Sequence, residues 1–148
     1  MEPLIQEFLD LSDKFCTRFT ARLDGLTDDE YLWEPAPDCW SLSPDADGKL
    51  QMRWGLIFDE VAPVTTIAWR LTHISDLFSE ERCANNIGLE PEPENLFENG
   101  APGDVATARD LLERAFARWK RYVSATDASR LFEKIGPIAG QWASTTRG

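Results

Sequence analysis

From Leu4 to Leu23 the large apolar residues Leu4, Phe8, Leu11, Phe15, Phe19 and Leu23 recur at steps of three and four, which draws one stripe along a helix. Glu7, Asp10, Lys14, Thr17, Arg18 and Arg22 fill the remaining arc as a solvated face. Gly25 suits the position after a helix end, where a left-handed backbone stops the ladder. A second helix is predicted to begin near Pro63, with Val64, Ile67, Leu71, Ile74 and Phe78 as its main stripe. Trp69, His73 and Leu77 form a second line beside it, and two apolar lines on one helix imply two neighbours, as in a bundle. The third helix opens at Asp104, a good N-cap, and carries Val105, Ala108, Leu112, Ala115, Trp119 and Tyr122 on one side. Leu111, Phe116 and Val123 widen that face. Arg109, Arg114, Arg118, Lys120 and Arg121 gather toward its C-terminus, where the helix dipole favours cations, and they read as a solvated face.

Between the first two helices, residues 24–62 form a connection too long for a bare loop in a compact domain unless it covers something. Thr27-Asp28-Asp29-Glu30 has the spacing of a capping box and predicts a short helical turn carrying Tyr31, Leu32 and Trp33. Pro35 and Pro37 stop that turn, Asp45 to Gly48 makes a chain reversal, and Gln51 to Phe58 is predicted to be extended. Trp33, Trp40, Trp54 and Phe58 suggest that the connection packs down as an aromatic lid, with Trp40-Ser41 as an anchor on the bundle. Residues 90–103 are rich in Pro and Gly and read as a linker. After Thr126 the periodicity fails: Ala128 to Lys134 allows one or two helical turns, and Ile138 to Gly148 has no stripe. Three amphipathic helices with wide apolar faces therefore lack a visible fourth partner. The expected fold is an all-α domain spanning residues 1–148, of up-down four-helix-bundle type, with the fourth helix largely missing and residues 141–148 an atypical tail.

Charge narrows the range of partners. The 148 residues include 26 acidic and 15 basic side chains, a net charge of −11, and such a surface repels phosphate backbones, so no nucleic-acid partner is expected. No apolar run reaches the length of a membrane span, so no membrane partner is expected either. The opening MEPLIQEFLD has neither a basic region nor a long apolar core, which excludes a signal peptide and implies a cytoplasmic protein. Cys16, Cys39 and Cys83 are odd in number and irregularly spaced, consistent with reduced thiols. His73 is the only histidine. A nucleophilic role for Cys39 or Ser41 would need it nearby, and no phosphate-binding glycine loop or zinc-protease signature is present.

Three stretches carry a family resemblance. Arg22-Leu23-Asp24-Gly25-Leu26-Thr27-Asp28-Asp29-Glu30-Tyr31-Leu32-Trp33-Glu34-Pro35, Cys39-Trp40-Ser41 and Thr66-Ile67-Ala68-Trp69-Arg70-Leu71-Thr72-His73-Ile74 resemble, in this order, the DinB/YfiT-like family of metal-dependent four-helix-bundle proteins. The likeness covers about residues 1–137. It implies a divalent metal, zinc or nickel, held by three histidines: one on the second helix and a pair on the fourth. Three neutral imidazoles leave an open coordination position for a water or thiolate. The resemblance thus implies hydrolase or thiol-dependent transferase or isomerase chemistry on a small thiol or other small molecule. Only His73 matches that ligand set, so the chain reads as a truncated or frameshifted relative with an incomplete site. Asp76 and Glu80, three and seven residues after His73, are the candidate auxiliary ligands on the same broad helical face. The alternative is a non-catalytic helical module whose uncovered apolar face binds a second copy, as a homodimer, or another protein partner.

Overall fold

A computed structural model describes residues 3–54, 63–79, 83–84, 88–130 and 132–133. Helix α1 spans Pro3–Ala21, the short α2 Asp28–Leu32, strands β1 Ser41–Pro44 and β2 Leu50–Arg53, helix α3 Ile67–Ser79, and helix α4 Val105–Ala125. A 3-10 turn, Ala128–Arg130, follows α4. The protein is mainly helical. The expected all-α class gains one antiparallel hairpin, in which Ser41 pairs with Arg53 and Pro44 with Leu50 around the turn at Asp45.

Local chemistry sets the helix ends. The Thr27 hydroxyl accepts from the Glu30 amide while the Glu30 carboxylate accepts from the Thr27 amide, the reciprocal box that starts α2. The Thr27 amide and then the Thr27 hydroxyl, both donating to the Glu30 carboxylate, hold it below its ordinary pKa. Asp104 caps α4 through the Thr107 amide at 2.8 Å. Gly25, just past α1, has φ +81°. Helix α3 starts at Ile67, four residues later than Pro63 suggests. The reason is a backbone bridge: Trp40 donates to the Val64 carbonyl and accepts from the Thr66 amide, both at 2.9 Å, which holds 64–66 extended. The Thr66 side chain then accepts from the Trp69 amide at 3.0 Å, capping the helix.

Packing reverses the reading of α1. The core line is Ile5, Leu9, Ser12, Cys16, Phe19 and Leu23, at alternating steps of four and three; Ile5, Leu9 and Leu23 are buried and the others partly so. The bulkier line Leu4, Phe8, Leu11 and Phe15 faces outward. Ser12 and Cys16 interrupt the inner line in sequence and hide it.

Helix direction also departs from strict up-down alternation. Asp13 pairs with Lys120 and Asp24 with Arg109, so α1 runs antiparallel to α4. Ala68 and Leu71 share a core with Ala108 and Leu112, while Phe78 stacks edge-on with Phe116 and Trp119, so α3 and α4 run in the same sense. Two parallel helices joined in sequence need a connection that travels back along the bundle. Residues 88–104 supply the described part of it. Glu92 and Glu94 meet Arg118 and Arg121 at one end, and Ala101 and Pro102 bond Leu50 and Tyr31 at the other. At Gly100 an added Cβ would fall 2.7 Å from the Leu50 carbonyl oxygen, so glycine is required where this strap crosses the hairpin.

Candidate functional site

His73 stands at the edge of an aromatic cluster built from two elements. The hairpin register brings Trp40, just before β1, beside Trp54, just after β2, and their rings are 4.7 Å apart. Trp69 lies 4.9 Å from each, and the His73 imidazole is tilted against it at 4.8 Å and 6.0 Å from Trp54. The connection between α1 and α3 thus packs down through Trp40 and Trp54. Trp33, by contrast, is 66% exposed and takes no part, and Phe58 lies outside the described residues. The His73 Nδ1 atom is buried, as are the indole N–H groups of Trp40 and Trp69, which have no hydrogen-bond partner among the described residues.

The other face of α3 was not legible from large apolar residues. Ala68, Thr72, Ser75 and Ser79 are all buried at steps of four, three and four. Tyr31 packs in one cluster with Ala68 and Leu71; it is fully buried and donates to the Pro102 carbonyl at 2.9 Å. Burial pushes the Tyr31 phenol well above its ordinary pKa, with the Thr72 hydroxyl opposing that shift.

The residues around His73 do not fit a three-imidazole metal centre. Among the described residues, no group of three or more His, Cys, Asp or Glu side chains comes together. Asp76 is partly buried one helical turn from His73, and Glu80 lies outside the described residues.

Arg118 corrects the reading of the basic cluster on α4 as a solvated face. It is 3% exposed, and its guanidinium donates to the Ser79 carbonyl at 3.0 Å, to Glu92 at 3.2 Å and to Glu94 at 2.9 Å. Arg121 and Arg118 share Glu92, whose carboxyl is held below its ordinary pKa chiefly by the Arg121 bond. A cavity of about 260 Å³ opens beside these groups, against Pro91, Asn95 and Phe97. A signal was present in the sequence: Ala108, Leu111, Ala115, Arg118 and Tyr122 fall on one line at steps of three and four.

The outer face of α1 is the second feature of functional interest. Leu4, Phe8, Leu11 and Phe15 are 38%, 37%, 65% and 53% exposed. Beside them runs an apolar trough of about 340 Å³ lined by Leu11, Phe15, Cys16, Phe78, Phe116 and Trp119. Burial raises the pKa of the Cys16 thiol, against the pull of Lys120, so the wall of the trough is neutral.

The geometry defines a helical protein in which α3 and the hairpin bring one partly exposed histidine against Trp54 and Trp69. Residues 13–148 match the DinB superfamily, and the chain belongs to that family. The match runs beyond Pro137 to Gly148. No curated protein and no solved structure matches the chain. Among the described residues, no helix is long and apolar enough to cross a membrane.

Proposed function

We propose that this DinB-superfamily protein works as a non-catalytic helical module whose working surface is the outer face of α1. The observation that carries the reading is the row Leu4, Phe8, Leu11 and Phe15, left in contact with water from the first turn of α1 to Phe15 beside an apolar trough. Contiguous apolar surface of this kind marks an interaction site when it is not a packing defect. The test compares the protein with Leu11→Glu/Phe15→Glu by sedimentation and by fluorescence of an anilinonaphthalene sulfonate dye. The reading expects either association or dye binding, lost in the double variant with helical circular dichroism retained. A folded monomer that binds no dye overturns it.

A second reading, a metal-dependent enzyme of hydrolase or thiol-transferase type, draws on family membership and on His73 and Asp76 standing one turn apart on α3. It expects one equivalent of zinc or nickel to bind, and His73→Ala to abolish binding. No binding at micromolar metal removes it.

A further inference from the structure

We draw no further inference here: the strongest candidate, the trough on the outer face of α1 that is floored by Leu11, Phe15 and Phe19 and bordered by Lys14, Arg18 and Arg22, carries none because nothing in the structure shows what covers it.

Discussion

The seam between α3 and α4 and the outer face of α1 are both helical surfaces with opposite exposure. The seam combines small or polar residues, Ala68, Thr72, Ser75, Ser79, Ala108 and Ala115, with the large Leu71, Leu112 and Phe116, and is closed to water. The α1 face uses Phe and Leu, the residues most expected inside, and stands open. Side-chain size explains the inversion. Two helices approach closely where small residues line the contact, so the bulky line of α1 is turned away from the tightest packing.

That contrast can be attacked from its strongest point downward. Leu112 is fully buried in the seam, and Leu112→Ala is expected to lower unfolding free energy by about 2–5 kcal/mol in a urea titration. A loss near zero would mean that the seam is not the core. Arg118→Leu strips three bonds and leaves the Ser79 carbonyl buried without its donor, at a cost of about 1–3 kcal/mol by thermal unfolding. Arg118→Lys should not restore it, because an ammonium cannot reach all three acceptors in the guanidinium plane. Thr27→Ala removes the cap of α2 and should cost about 1 kcal/mol, read the same way.

The Glu92 carboxyl sharpens the comparison through pH. Its pKa is lower in the folded protein than in the unfolded chain, so the unfolded state takes up more protons in acid. Its stabilisation is complete above the ordinary glutamate value of about 4.3 and is lost as pH falls below it. The fall of unfolding midpoint between about pH 5 and 3 should therefore be shallower in Glu92→Gln than in the parent. The smallest effect belongs to the open face: Leu11→Ser, measured in dilute solution where the chain is monomeric, should change stability by no more than about 0.5 kcal/mol. A larger loss would show that Leu11 is covered within one chain.

How much of this could be read from the chain depended on whether a local rule decided the outcome. Thr27 with Glu30, Asp104, Gly25 and the Asp45–Gly48 turn were legible because caps and turns are made by neighbours in sequence. The existence of three long helices followed from periodicity. Their faces did not, because the inner line of α1 passes through Ser12 and Cys16, and that of α3 through Thr72 and Ser75. Arg118 was misassigned because its partners, Glu92 and Glu94, lie more than twenty residues away. The hairpin strands were too short to show alternation against the tryptophans around them. His73 was legible as the one imidazole; its contact with Trp54 depended on a register that only the folded hairpin supplies.

The strap that returns from α3 to α4 has a kinetic consequence. Its bonds join Leu50 to Ala101, Tyr31 to Pro102 and Asp28 to the Val105 amide, contacts separated by about a third to a half of the chain. Such closures must wait until the hairpin and α2 offer something to dock on, and their loop entropy is met before any bond rewards it. Docking of the strap should therefore be a late step of folding, and the Ala101 amide, bonded to Leu50 at 2.7 Å, is the proton whose exchange would time it.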